Sequence, residues 1–250
     1  MLAVPLVTGA ATGLLAGGHA ASLAPLAAAV LALFWLRTPV ESWLGVSAMK
    51  ARTAAEFQLV RRVAARLAAV AAASAVWLFW GGRNLQLLWI GAAAAFAFVA
   101  QAVVKQRGRE NREASQIVGA AGLTAVAPAA YYVVTGGFHG PAWELWAANL
   151  LFAVNQIQFV QLRIRGAHAA TFADKLALGR GFVTGQMLLL VLLACGVFPW
   201  YAALSFAPIV WRGFAWFVSG AQTLAVHSLG KRELVYACVF GVMLVGGLAM

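Results

Sequence analysis

Few side chains in this sequence are equipped for chemistry, and the most ordered of them share one stretch. Asn149, Gln156 and Arg163 recur every seven residues, so at helical spacing they project from nearly the same face. Gln158, Gln161 and Arg165 add polar groups on another side, with Asn155 between the two. Amides and guanidinium groups supply many donors, which suits a cavity for an anionic or carbonyl-bearing ligand. The same pattern suits an amide-rich seam between packed helices that ends in interfacial arginines. Both readings stand on the sequence.

Three further groups join this set. Arg37 and Glu41 are four apart with Pro39 between them, which predicts local ion partners, or the rim of a cavity, at a bent or terminating helix end. Arg109, Glu113 and Gln116 share a face by the same spacing, as a solvated ion pair with an amide beside it. Arg212 is the deepest base of its apolar run, flanked by Trp211 and Trp216, and reads as a snorkelling side chain. The candidate ligand-binding residues are therefore Arg37, Glu41, Glu113, Asn149, Asn155, Gln156, Arg163 and Arg165. His19, His139, His168 and His227 are scattered over turns and loops, and Cys195 and Cys238 lie apart within apolar runs, so no metal or haem site and no cofactor is expected. No phosphate-binding glycine loop, Ser-His-Asp order or zincin motif is present, and no residue is identified as catalytic.

The elements that must position these groups are set by composition. The 250 residues are 63% hydrophobic and 10% charged, with mean hydropathy +0.85, whereas soluble domains carry roughly 25% charged residues. Apolar runs at about 1–17, 22–36, 62–80, 85–104, 114–134, 145–162, 181–198, 200–218 and 234–250 have the length and character of membrane helices. The expected fold is all-α, a polytopic transmembrane bundle of about nine helices forming a single domain over residues 1–250. Pro128 predicts a kink in the fifth run. The net charge of +11 comes from bases clustered after the second, fourth, sixth and eighth runs. The positive-inside rule then places the N-terminus in the cytoplasm and the C-terminus outside. Trp80, Trp89, Tyr131, Tyr132, Trp143, Trp146, Trp200 and Tyr201 flank the opposite loops as an aromatic belt. Bases so placed meet anionic lipid; nucleic acid is not an expected partner. In the long loop 37–61 and beyond, Glu56 to Arg66 reads as a basic amphipathic helix on the inner membrane surface.

Several segments resemble the YwiC-like family of bacterial membrane proteins. They are Val4-Pro5-Leu6, Arg37-Thr38-Pro39-Val40-Glu41, Ala127-Pro128-Ala129-Ala130-Tyr131-Tyr132 followed by Thr135-Gly136, and Leu162-Arg163-Ile164-Arg165. The resemblance spans about the first two thirds of the chain. It implies a multi-pass protein of the bacterial inner membrane and carries no activity with it. Family members also resemble one another in a His-Gly-Ala-Trp stretch just before the Val-Pro. This chain starts at Met1 without it, so a shortened start is the expectation. The layout of helices is similar to that of UbiA-type intramembrane prenyltransferases, but Asp174 is the sole aspartate, which leaves no Asp-rich Mg²⁺ diphosphate site.

Three functions emerge as expectations. The first is a non-catalytic carrier or assembly protein, with the bilayer as its surroundings, that holds a lipid or small anionic ligand in a cytoplasm-facing cavity. The second is a lipid-modifying transferase with Arg37, Arg163 and Arg165 on an anionic group and Glu41 or Glu113 as base, which requires those side chains to converge. The third is a secondary transporter, which requires ionisable groups at depth.

Overall fold

In lipid, backbone polar groups must be satisfied within the chain, and runs rich in Ala, Leu and Val accomplish this as helices. The computed structural model describes residues 2–43, 53–82, 85–108, 111–167, 169, 171–220 and 225–250. These described residues form α1 (Ala3–Leu15), α2 (Leu23–Trp43), α3 (Ala54–Trp80), α4 (Leu85–Gln106), α5 (Arg112–Thr124), α6 (Val126–Thr135), α7 (Gly140–Arg165), α8 (Phe172–Ala194), α9 (Trp200–Ala203), α10 (Ala207–Val218) and α11 (Val226–Leu248). The pairs α5–α6 and α9–α10 are each one interrupted rod, so nine rods make up the described bundle. Six of these, α2, α3, α4, α5–α6, α8 and α9–α10, are long and apolar enough to cross a membrane. Among the rest, α1 has 13 residues. The 26 residues of α7 extend about 39 Å at 1.5 Å per residue, although its amides lower its hydropathy.

Local chemistry accounts for where rods begin and break. Thr53 and Glu56 form a reciprocal capping box, each side chain accepting a backbone N–H of the other at 3.2 Å, which starts α3. No glycine or proline follows until Gly81. Glu56 to Arg66 is therefore the first part of one 27-residue helix, not a separate interfacial helix. Pro39 lies inside α2, which continues to Trp43. The interruption at Ala125 lies where Pro128 predicts it, because a proline ring collides with the carbonyl four residues earlier, that of Thr124. The loosened turn finds other partners: the Thr124 hydroxyl donates to the Ala120 carbonyl at 2.9 Å, and the Trp146 indole N–H donates to the Ala121 carbonyl at 3.2 Å. Gly136, at φ 80°, ends α6 in the left-handed conformation.

The core is centred on α7. Leu145, Phe152, Phe206, Ile209, Phe240 and Leu244 bring α7, the turn after α9, α10 and α11 into one cluster, with the rings of Phe152 and Phe240 stacked at 4.2 Å. On the other side α1 lies directly on α6. A Cβ on Gly9 would overlap the Ala127 carbonyl, and one on Gly13 would press on Val134, so these glycines permit backbone-to-backbone approach. Two hairpins, α2–α3 and α4–α5, stand outside this core. Each is closely packed within itself, and they join the rest chiefly through α6 and α7, meeting one another weakly. The gap between them is a cleft.

Candidate functional site

The cleft between the hairpins has a volume of about 690 Å³. Its walls come from α2, α3, α4 and α5, with Ala125, Val126 and Ala129 at its base. Leu26, Phe34, Leu78, Ile90 and Phe98 are representative of a lining that is apolar almost throughout. Among the described residues two polar side chains line it, Arg37 and Gln101. Arg37 donates from Nε to Glu41 at 2.8 Å, and the other oxygen of Glu41 accepts from Lys105 Nζ at 2.9 Å. Glu41 thus straps α2 to α4 across one end of the cleft, where two bases and one acid leave a net positive charge. The terminal N–H groups of the Arg37 guanidinium are not used by this pair. A groove of similar size over α8 and α10, bounded by Leu193, Leu204, Pro208 and Trp211, has no polar lining.

Gln101 lies one turn before Lys105 on α4. It is 7% exposed. Its side-chain amide has no hydrogen-bond partner among the described residues, while its backbone carbonyl accepts from the Ser115 hydroxyl at 3.3 Å. The amide rests in space opened by Gly119, where a Cβ would lie 2.6 Å from Gln101 Oε1.

The polar stripe on α7 is occupied with neighbouring helices. Asn149 donates to the Thr8 hydroxyl at 3.1 Å and to the Leu145 carbonyl at 2.8 Å, tying α7 to α1. Gln156 donates to the Glu233 carbonyl of α11 at 3.4 Å. Arg163, the third member, lies within electrostatic reach of Arg232, Glu233 and Lys175. On the adjoining face Gln161 donates to Gln116 at 3.1 Å and Arg165 pairs with Glu113 at 3.4 Å, both links from α7 to α5. Glu113 thus pairs with Arg165, whereas Arg109 lies outside the described residues. No α7 side chain lines the cleft. Of the residues anticipated from sequence, the structure brings Arg37 to its wall with Glu41 paired to it, joins Glu113 to Arg165, and distributes Asn149, Asn155 and Gln156 along the packing faces of α7.

A second polar centre is buried where α7, α10 and α11 meet. Arg212, 6% exposed, pairs with Glu233, 5% exposed. Its other terminal nitrogen donates to Asn155 Oδ1 at 3.0 Å. The guanidinium lies 4.1 Å from the centre of the Phe159 ring and 5.1 Å from that of Tyr236. Arg212 therefore does not snorkel: an acid 21 positions away in sequence neutralises it in place. One oxygen of Glu233 has no partner among the described residues. Nearby, Lys175 is 1% exposed. Its ammonium donates to the carbonyls of Trp216, at 3.0 Å, Ser219 and Gly220, closing the C-terminal end of α10.

Sequence reasoning missed Gln101, Lys175, Glu233 and Gln186, the last on α8, 1% exposed and with neither amide atom bonded among the described residues. Gln101 and Gln186 were visible as isolated amides within apolar runs, the usual mark of a meaningful intramembrane group. Glu233 sits behind Lys231 and Arg232 and reads as part of a solvated loop, while Lys175 reads as one more orienting base. Among the described residues no group of three or more His, Cys, Asp or Glu side chains could hold a metal ion.

A family model described as YwiC-like protein matches residues 1–131. That segment contains every described residue lining the cleft, from Leu2 to Ala129, whereas the Arg212–Glu233 centre lies beyond it. No match was found among curated proteins or among solved structures.

Proposed function

The chain belongs to the YwiC-like family, the matched segment covering 131 of its 250 residues, and on that footing we propose that this multi-pass membrane protein binds an anionic lipid or similar amphiphile in the cleft between α2–α3 and α4–α5. The observation that carries this reading is the combination of an apolar cleft of about 690 Å³ with Arg37 on its wall and Lys105 beside it. That volume lies in the range of small-molecule sites, roughly 300–1,000 Å³. Hydrocarbon fills the walls, and the charged end offers charge-assisted hydrogen bonds to a phosphate or carboxylate. The charged end lies at the ends of α2 and α4 that lead, in sequence, into the basic stretches. By the positive-inside rule this is the cytoplasmic side of the bacterial inner membrane, with the N-terminus inside and the C-terminus outside.

Lipid retained through purification, identified by mass spectrometry, tests the reading. Wild type is expected to hold about one anionic lipid per chain, and Arg37→Ala with Lys105→Ala to lose it. Equal retention by wild type and double variant would remove the cleft from consideration. The transferase reading is not favoured, because Arg37 and Arg165 belong to separate ion pairs on separate helices.

Glu233 favours a second reading, a proton-coupled carrier, because it supplies a buried acid with one oxygen unpartnered. Lipid movement between leaflets in proteoliposomes would then respond to a pH gradient and lose that response in Glu233→Gln. A rate indifferent to the gradient would exclude it.

A further inference from the structure

Gln101 narrows the chemistry of the occupant. Gln101 is a largely buried residue whose amide is open to the cleft and bonds no group among the described residues, so an occupant that displaces water from it must supply a partner or leave it unsatisfied. It lies on the same face of α4 as Lys105, one turn away, about 6 Å along the axis. An occupant whose anionic group meets Arg37 and Lys105 therefore passes Gln101 about one turn deeper. A glycerophospholipid places an acyl ester carbonyl at that depth, because its three-carbon glycerol unit separates phosphate from ester. A polyprenyl phosphate presents only hydrocarbon there.

We infer that the cleft selects an ester-linked glycerophospholipid, with its phosphate at Arg37 and Lys105 and the Gln101 amide donating to an acyl ester carbonyl. The inference rests on the cleft being the lipid site. The space vacated at Gly119 lets the amide sit where it does, and the Ser115 hydroxyl bonded to the Gln101 carbonyl fixes the backbone beneath it.

The test uses the full chain in detergent, loaded with a photoreactive phosphatidylglycerol whose crosslinks are mapped by peptide sequencing. Three unlabelled competitors are compared: diester phosphatidylglycerol, its diether analogue with the same headgroup and chain length, and a polyprenyl phosphate. Crosslinks are expected on cleft residues such as Ala75 and Ala95, with the diester competing roughly tenfold better than the diether, the worth of one buried hydrogen bond. Gln101→Leu should erase that preference, and Gly119→Ala, which displaces the amide, should weaken it. Arg37→Ala should weaken diester and diether alike. Equal competition by diester and diether in wild type, with crosslinks still in the cleft, would overturn the inference and leave the cleft as the lipid site. So would stronger competition by the polyprenyl phosphate. Crosslinks confined to residues outside the cleft would overturn both. The wild-type comparison of ester with ether needs no variant to fold.

Discussion

Arg212 and Glu233 show how strongly a single side chain can depend on its partner in this bundle. Removing one member of a buried ion pair leaves an uncompensated charge and costs about 3–5 kcal/mol, whereas replacing both with apolar residues of similar size is often close to neutral. Arg212→Met is therefore expected to lower the unfolding midpoint in detergent sharply, and Arg212→Met with Glu233→Leu to recover most of the loss. If the double variant is no more stable than either single one, the pair is not what neutralises Arg212. Lys175 depends on carbonyls rather than an acid, so Lys175→Met should leave the end of α10 open. Faster hydrogen exchange at residues 216–219 would register it, and unchanged exchange would count against the latch. At this scale the sequence was informative about residue types but not about partners. The seven-residue recurrence of Asn149, Gln156 and Arg163 marked an inward face of a helix, yet whether that face met a cavity or Thr8 and Glu233 depended on which helices pack against it, and residue spacing within one helix carries no such information. Glu233 was obscured for a related reason, since an acid next to two bases has a ready solvent-side partner until a distant arginine is brought to it.

Among the elements, α1 and α6 make the most exacting contact. Because a side chain at Gly9 would enter the Ala127 carbonyl, Gly9→Val should separate the two helices and with them the Asn149–Thr8 hydrogen bond. Loss of monodisperse protein on size exclusion in detergent is the expected outcome. Gly246→Ala, placed where nothing lies within 4 Å, serves as the control and should behave as wild type. Rods and their interruptions could be read closely from the sequence where the determinant was local, as with Pro128 and the break at Ala125. The stretch Glu56 to Arg66 shows the limit of reading charge alone. Its bases suggested a surface helix, but Thr53 and Glu56 supply a start signal and the alanines beyond supply no stop. The helix therefore runs on to Trp80.

For the molecule as a whole, the bases define a direction that labelling can check. In a background lacking Cys195 and Cys238, cysteines replacing the exposed Arg107, Arg165 and Lys231 should react only from the cytoplasmic side. One replacing the exposed His139 should react only from outside. Reaction of Arg107→Cys and Arg165→Cys from opposite faces would refute the orientation. The asymmetry of packing gives the cleft its setting. The core around α7 is dense, while α3 and α4, whose most apolar windows are 11% and 6% buried, form the periphery and meet each other weakly. On the membrane arrangement proposed above, the gap between these peripheral rods opens the cleft sideways, toward the hydrocarbon. A molecule reaching the cleft by that path travels in two dimensions and never passes through water. Its loading then tracks its mole fraction in the leaflet instead of its molarity in solution, so even a loose association is saturated by an abundant membrane component.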